Sequence, residues 1–201
     1  MKKICVVCEG NIAGDPRPNR LISVLKGKFD LTAIGLEATG IDGVEVLSYP
    51  FAKKRNAQEE EELEENVRRR DFIKLVKIPN RMQIVEHLNK REFDVIFCHD
   101  LVLLPIVLEN KKNAKVILDA REYYPREMEN NARWKRLFAP FNEWLCQTYL
   151  KQADYVYTVC DGIAQEYTKN YGIKCGVITS AAKYYAPPPY YLQKIPQRKL
   201  K

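Results

Sequence analysis

Short apolar, β-branched runs recur along the chain and alternate with segments whose apolar residues repeat with a helical period. The runs predict seven strands, at 4–8, 30–36, 44–49, 93–98, 114–118, 155–159 and 175–179. Strands that are apolar throughout are typical of a parallel sheet covered by helices on both faces. The pattern therefore predicts an α/β fold with a doubly wound, mostly parallel sheet of the Rossmann-like type.

Helical periodicity occupies the segments between the strands. The first helix should begin near Pro18, Pro140 should kink or divide the longest helical stretch, and Gly172 should end the last helix. Further helices are predicted after Pro79 and over 101–108, 133–152 and 163–171.

The acidic run 59–65 reads as a solvated helix that Pro79 interrupts. Two pairs, Glu64 with Arg68 and Glu65 with Arg69, have the four-residue spacing that supports a helix. These pairs predict that the helix continues through the three arginines 68–70.

Segment 68–78 combines cations with apolar side chains, and two interpretations stay open. A helix of that composition can lie on an anionic membrane, which would give the protein a peripheral contact at the inner face of the membrane. The alternative, an ordinary amphipathic helix packed on the sheet, is favoured.

Length and composition favour one folded domain with a sizeable core. The chain has 201 residues, of which 46% are hydrophobic. It contains no apolar run of the roughly 20 residues that a membrane span requires, and the charge of Glu9 comes too early for a signal peptide. We therefore expect a cytoplasmic protein.

The net charge of +7 raises the possibility of an anionic partner such as nucleic acid. The basic residues are scattered, however, and the sequence has no zinc-finger spacing and no aromatic ribonucleoprotein motif. We expect no nucleic-acid partner.

The six cysteines are interpreted as buried, reduced thiols. Cys5 and Cys8 lie three residues apart on a predicted strand, which places their side chains on opposite faces. They cannot converge on one metal ion, and we expect neither a metal nor another cofactor.

Candidate chemistry lies at the carboxyl ends of the strands, where open parallel sheets bind their ligands. Polar residues follow five of the strands. They are Glu9, Gly10 and Asn11 after the first, His99 and Asp100 after the fourth, Asp119, Arg121 and Glu122 after the fifth, Asp161 after the sixth and Ser180 after the last.

Three enzyme classes are excluded by the loops at this edge. The first turn lacks the closely spaced glycines of a dinucleotide-binding loop, since Gly10 and Gly14 do not make that turn. The chain also has neither a phosphate-binding Gly-Lys-Ser/Thr loop nor a serine in a nucleophile elbow.

His99 and Arg121 are the strongest candidates for function at this edge. A His-Asp pair directly after a buried strand is an unusual core position, which favours a functional role for His99 over a structural one. For Arg121 two interpretations stay open: it binds an anionic ligand such as a phosphate, or it braces the loop by pairing with Asp119 or Glu122.

Four segments together resemble a known family. They are the loop 10–20, the strand and turn FDVIFCHD at 93–100, VILDARE at 116–122 and KQADYVYTVCDGIA at 151–164. Their order and spacing are similar to the N-terminal domain of glycosyltransferase family 4, the retaining GT-B enzymes that use nucleotide-sugar donors. One departure is Arg121, which stands where many members have histidine.

The resemblance implies a division of labour between two lobes. Residues 1–182 would form the acceptor-side lobe, and 183–201 a linker toward a C-terminal lobe that binds most of the nucleotide-sugar donor. The acceptor would be a glycan or a lipid-linked glycan, and this lobe alone would be inactive. The implied catalytic residues are His99 and Arg121, and the implied substrate-binding residues are Gly10, Asn11, Asp15, Arg17, Asp100, Glu122 and Ser180.

Two alternatives to this function remain open from the sequence. One is the lobe of a GT-B-type sugar-nucleotide epimerase, which would share the lobe shape and the nucleotide sugar. The other is a stand-alone binding or adaptor domain without catalysis, for which the replacement at Arg121 is the supporting feature.

Overall fold

The predicted strands form one sheet in a computed structural model that describes residues 1–181, 184 and 186. Every pairing between neighbouring strands is parallel. The strands are β1 (Lys3–Cys8), β2 (Asp30–Leu36), β3 (Glu45–Tyr49), β4 (Val95–His99), β5 (Lys115–Asp119), β6 (Tyr155–Thr158) and β7 (Cys175–Val177). The predicted boundary at 182 and nearly all of the predicted linker 183–201 lie outside the described residues.

Helices connect the strands and cover the sheet. They are α1 (Pro16–Leu25), α2 (Ala57–Arg68), α3 (Ile73–Val76), α4 (Pro79–Asn89), α5 (Leu104–Asn110), α6 (Ala132–Leu137), α7 (Ala139–Tyr149) and α8 (Asp161–Tyr171). Short 3-10 turns lie at Leu101–Leu103, Tyr124–Arg126 and Leu150–Gln152. Within the described residues, none of the helices combines the length and the apolar character needed to cross a bilayer.

The strand order is β3-β2-β1-β4-β5-β6-β7, which confirms the predicted Rossmann-like, doubly wound α/β fold. From β1 the chain adds β2 and β3 on one side. It then crosses back and adds β4 on the other side of β1. In sheets of this kind the order reverses between the two central strands, and a crevice opens beyond their carboxyl ends. Here that position lies between Glu9 and Asp100.

Apolar cores cover both faces of the sheet. Cys5 belongs to the larger core, under α4, α5 and α7, and Cys8 to the smaller core, under α1, so their predicted separation onto opposite faces is confirmed. The expectation of buried thiols is wrong for Cys160, which is exposed at the start of α8. Burial raises the pKa of the Cys8 thiol to about 12.

The helix over the acidic run is shorter than the sequence pattern predicts. It ends at Arg68, because Arg70 adopts a left-handed backbone (φ 58°) that an α-helix cannot continue. Glu65 pairs with both Arg68 and Arg69, so the predicted Glu65–Arg69 pair is present. Glu64 instead pairs with Arg136 of α6 at 3.1 Å.

Segment 68–78 is therefore not one amphipathic helix. Phe72, Leu75 and Val76 are buried in the larger core, and Pro79 begins α4 instead of interrupting a helix. Most of the apolar surface of this segment is therefore used in the core, with Ile73 and Ile78 partly exposed.

Proline and glycine set the ends of the other helices as predicted. Pro140 lies in the first turn of α7, directly after the break that separates α7 from α6. Gly172 ends α8 with a left-handed backbone (φ 62°). Helix α1 begins at Pro16, slightly earlier than predicted, because the side chain of Asp15 accepts a hydrogen bond from the backbone N–H of Arg17 at 3.1 Å and caps the helix.

The loop after β1 is held against β2 by a close approach at Gly35. A Cβ atom at this position would lie 2.9 Å from the Ile12 side chain and 3.1 Å from the carbonyl oxygen of Gly10. The backbone N–H of Leu36 also donates to that carbonyl, at 2.9 Å. A glycine in β2 thus sets the position of the loop that carries Gly10.

We predict that Gly35→Ala lowers the free energy of unfolding by about 1–3 kcal/mol, the usual cost of overpacking a core. Urea unfolding monitored by circular dichroism measures the effect. Gly40→Ala is the matched control, since a Cβ there meets nothing within 4 Å and should leave stability almost unchanged. Equal free energies of unfolding for the two variants would show that the structure accommodates a Cβ atom at position 35 without cost.

Candidate functional site at the carboxyl edge of the sheet

A buried ion pair ties α1 to the end of β5. The Arg17 guanidinium donates from Nε and Nη2 to the two carboxylate oxygens of Asp119, each at 2.6 Å. Arg17 also approaches the carbonyl oxygen of Ile178, at 3.4 Å. The two-point geometry is the one in which arginine binds carboxylates most strongly. Arg17 therefore has a partner within the protein, whereas the sequence suggested a substrate contact.

His99 is also part of this cluster. Its Nδ1 lies 3.0 Å from Asp119 Oδ2, although its ring N–H is too far out of line for a regular hydrogen bond. Nε2 has no partner among the described residues, and the side chain is inaccessible to solvent. His99, which the sequence nominated as a catalytic residue, is therefore buried beside Asp119.

The environment of Asp119 favours its ionised form. Burial on its own would raise the pKa of this carboxyl, but the contacts with His99 and Arg17 outweigh burial and hold the pKa below its usual range. The charge of Asp119 thus stabilises the folded state.

Arg121 forms a second cluster, with partners that the sequence did not suggest. Its two terminal nitrogens donate to Asp15 Oδ2 at 2.6 Å and to Asp100 Oδ1 at 2.7 Å. Burial opposes the charge of Arg121, but the two carboxylates outweigh it and raise its pKa. The bracing interpretation is supported, with Asp15 and Asp100 in place of Asp119 and Glu122.

Asp100 has an unusual backbone for its residue type. Its φ of 137° and ψ of 127° fall in a region that glycine normally occupies. The conformation is held from both sides, because Asp100 Oδ2 accepts the Glu9 N–H at 2.8 Å while Oδ1 accepts from Arg121. Burial raises the pKa of Asp100 against these favourable contacts. Strained, buried carboxylates are typical of functional sites.

The remaining residues that the sequence nominated are spread over this edge and are not gathered at one point. Asn11 shapes its own loop, because its side-chain oxygen accepts the backbone N–H groups of Ala13 and Gly14 at 3.1 and 3.2 Å. Glu122 is exposed, and Ser180 is exposed and accepts a hydrogen bond from Arg20. Gly10 lies beside Asp15, where an added Cβ would make only an ordinary contact, 3.7 Å from Asp15 Oδ2.

Beside these clusters a cavity of about 350 Å³ opens at the crevice between β1 and β4. Glu9 and Asp100 lie at its sheet side, and its other walls come from α2, α3, α4, α6 and α7. Arg81 of α4 crosses this side of the cavity, donating to Glu9 and to the carbonyl oxygen of Leu75 at 2.7 Å. A concave site with several convergent polar groups is the usual form of a ligand site.

Aromatic side chains cover part of the cavity wall. Trp134 and Phe138 are partly exposed there, next to the buried Phe141. Tyr124 is buried at the same wall, and its hydroxyl has no regular hydrogen-bond partner among the described residues, although the Leu101 N–H lies near it. The cavity wall thus combines exposed aromatic faces with a buried, incompletely hydrogen-bonded hydroxyl behind them.

The cavity walls were not predictable from the sequence. Trp134, Glu62 and Arg81 lie on helices, far along the chain from the strand ends. The available signal was that the helix carrying Trp134 is partly polar. Periodicity alone places Trp134 on the side of that helix that faces the core.

Comparisons with known proteins give no family assignment. No family model matches the chain, and no curated protein is similar to it in sequence.

Solved structures with the same fold do exist. A structure of Anabaena HepE in complex with UDP and glucose matches 96% of this chain, with a TM-score of 0.56 and 11% sequence identity. The lipopolysaccharide outer core galactosyltransferase WaaB, in its apo form, matches 93% of the chain, with a TM-score of 0.51 and 12% identity. This chain spans 49% of the length of each. Its fold is that of one half of these GT-B glycosyltransferase structures.

We predict that Asp119→Asn destabilises the protein by about 3 kcal/mol at pH 7, because it leaves the buried Arg17 without its counter-charge. The folded pKa of Asp119 is depressed, so its contribution is complete above the ordinary aspartate pKa of about 4 and is lost as pH falls through the folded value. The difference in free energy of unfolding between wild type and variant should therefore become smaller below about pH 4.

Urea unfolding of both proteins at pH 7 and at pH 3 measures this difference. The control is Asp42→Asn, which removes a fully exposed partner of Lys26 and should leave the unfolding midpoint unchanged. If the difference in free energy of unfolding is the same at both pH values, the destabilisation by Asp119→Asn comes from altered packing or hydrogen bonding and not from the lost charge.

Proposed function

We propose that this chain is the acceptor-side lobe of a glycosyltransferase that moves a sugar from a nucleotide-diphosphate sugar to a glycan or lipid-linked acceptor. The reaction would be retaining, as the resemblance to glycosyltransferase family 4 implies. The observation that carries the proposal is an open, polar and aromatic cavity at the crevice of a lobe that matches half of HepE and WaaB. HepE binds UDP and glucose, which supports a nucleotide-sugar donor.

The cavity has the chemistry that a saccharide acceptor requires. Sugar hydroxyls need hydrogen-bond acceptors, and carboxylates such as Glu9 and Glu62 line the walls. The apolar faces of sugar rings pack against aromatic side chains, and Trp134 is partly exposed in the cavity. A lobe that encloses only one side of the reaction would leave the donor to a second lobe.

Within this proposal His99 and Arg121 are positioning residues. His99 is buried against Asp119, and both terminal nitrogens of Arg121 bind carboxylates of the protein. Their role would be to hold Asp100 and the start of α1 in the geometry that shapes the cavity wall. Gly10, Asn11, Asp15 and Arg17 would support the same edge, whereas Glu122 and Ser180 are exposed enough to face a second lobe.

We predict that the 201-residue protein folds but turns over no nucleotide sugar, because a cleft between two lobes is needed to enclose the donor. A panel of UDP-, GDP-, ADP- and dTDP-sugars, assayed for transfer and for hydrolysis, measures this. Circular dichroism and thermal melting of the same preparation show that the protein is folded. Multiple turnover by this chain alone would overturn the two-lobe proposal.

A second prediction uses the two tryptophans of the chain, which lie in different environments. Trp134 is at the cavity, whereas Trp144 is partly buried and packs against the larger core, beside Phe72 and Tyr149, with ring centroids 5.6 and 5.4 Å away. In a Trp144→Phe protein, Trp134 is the sole indole, and a glycan that enters the cavity should change its emission.

Replacing Trp134 by Leu should weaken glycan binding about three- to tenfold, the amount expected for losing one aromatic contact, with little change in melting temperature. The matched variant Trp144→Leu should do the opposite, lowering the melting temperature and leaving affinity nearly unchanged. Ligand-observed NMR with glycans of different composition measures binding by both variants. Unchanged glycan binding by the Trp134→Leu protein would show that the acceptor does not bind in this cavity.

A further inference from the structure

We infer that the cavity accepts the part of an acceptor saccharide that carries no acidic group, and that a protonated amino sugar fits it better than a phosphorylated or carboxylated one. This inference rests on the proposed function and names the acceptor class. It follows from the balance of charges on the cavity wall and from the partners those charges already have.

The cavity wall is acidic although the protein is basic. Five acidic and three basic side chains line the cavity, whereas the whole chain has a net charge of +7. The field that a ligand meets is set mainly by nearby charges, since salt screens the distant ones within about 8–10 Å. The local excess of negative charge therefore decides which ligands enter.

The cations of the wall are already paired within the protein. Arg81 is bound to Glu9, and Lys74 lies 2.7 Å from Asp71. Arg55, the third, approaches Glu60 at 3.5 Å. An anionic ligand would have to compete with these carboxylates for each cation.

Glu9 and Asp100 of the wall are likewise paired, with Arg81 and Arg121, whereas the wall carboxylates Glu62 and Glu127 form no ion pair among the described residues. Glu62 accepts only a long hydrogen bond from the Gln58 amide, at 3.4 Å. Burial raises the pKa of Glu127, the nearby charges of Glu122 and Asp100 raise it further, and the charge of Arg121 lowers it by less. A cation entering the cavity would relieve this repulsion, and an anion would increase it.

Arg121 does not reverse this balance. From sequence, an arginine at this strand end favoured an anionic ligand, but its two terminal nitrogens bind Asp15 and Asp100 at 2.6 and 2.7 Å. Releasing them for a phosphate would leave two largely buried carboxylates unpaired, which is strongly unfavourable. The arginine neutralises the protein's own carboxylates and is not available as an anion site.

The test compares three tetrasaccharides of equal length on the Trp144→Phe protein at pH 6, read by the emission of Trp134. The probes are a glucosamine tetrasaccharide, which is cationic, its N-acetylated neutral form, and a galacturonate tetrasaccharide, which is anionic. We expect the cationic probe to bind about tenfold or more tightly than the anionic one at low salt, with the neutral probe between them. The gap should shrink at 0.5 M NaCl because salt screens exposed charges.

Charge variants assign the preference to the cavity. Glu62→Gln combined with Glu127→Gln should weaken binding of the cationic probe about two- to fivefold, the amount expected for partly exposed charge pairs. Glu61→Gln is the matched control, since Glu61 is the exposed neighbour of Glu62 on α2 and lies outside the cavity wall.

The outcomes separate this inference from the proposed function. Equal binding of the three probes, or tighter binding of galacturonate, overturns the charge preference and leaves a glycan site in place. Failure of all three probes to bind overturns both. A preference that Glu61→Gln abolishes as strongly as the double variant would reflect the charge of the whole protein and would overturn the assignment to the cavity.

Discussion

The buried carboxylate of Asp119 determines how the carboxyl edge of the sheet is assembled. A charge in this position is unfavourable unless a cation and hydrogen-bond donors accompany it, and here Arg17 of α1 supplies both, with His99 of β4 in contact on the other side. Arg17 supplies the main counter-charge and also reaches the carbonyl oxygen of Ile178, beyond β7. One ionised group thus fixes α1, the ends of two adjacent strands and the chain that follows the last strand.

The second cluster depends on the same helix. Asp15 caps α1 and binds Arg121, and Arg121 in turn holds Asp100 beside the cavity. The start of α1 therefore connects the buried ion pair to the wall that a ligand would meet. The polar residues of this edge serve mostly to neutralise one another, so that the surplus charge lies farther out, on α2 and on the turn before α6.

Much of the fold was predictable because local patterns determined it. The seven apolar runs match the strands closely, and β2 has the predicted bounds 30–36, since a buried parallel strand needs an unbroken apolar sequence. The break after Arg68 was not predictable from periodicity, because helix-supporting charge pairs continue past it while the backbone turns left-handed at Arg70.

The candidate site was only half visible in the sequence. Topology places residues after parallel strands at one edge, so the nomination of Asp100, Asp119 and Arg121 needed no tertiary information. The pairing of Arg121 with Asp15 did require tertiary information. The two residues are separated by 106 positions, and carboxylates nearer in sequence, such as Asp119 and Glu122, are alternative partners for Arg121. The cavity walls depend on how α2 and α6 pack on the sheet, which no local pattern specifies.

The contacts of Arg17 also bear on how the protein is made. Its partner Asp119 lies 102 positions farther along the chain, and Ile178 lies 161 positions farther. At a synthesis rate of about 5–20 residues per second, α1 waits roughly 5–20 s for its counter-charge and longer for the segment beyond β7. During that interval β1 and α1 present an unpaired cation and an incomplete sheet edge, and unpaired strand edges are where incompletely folded chains associate with one another.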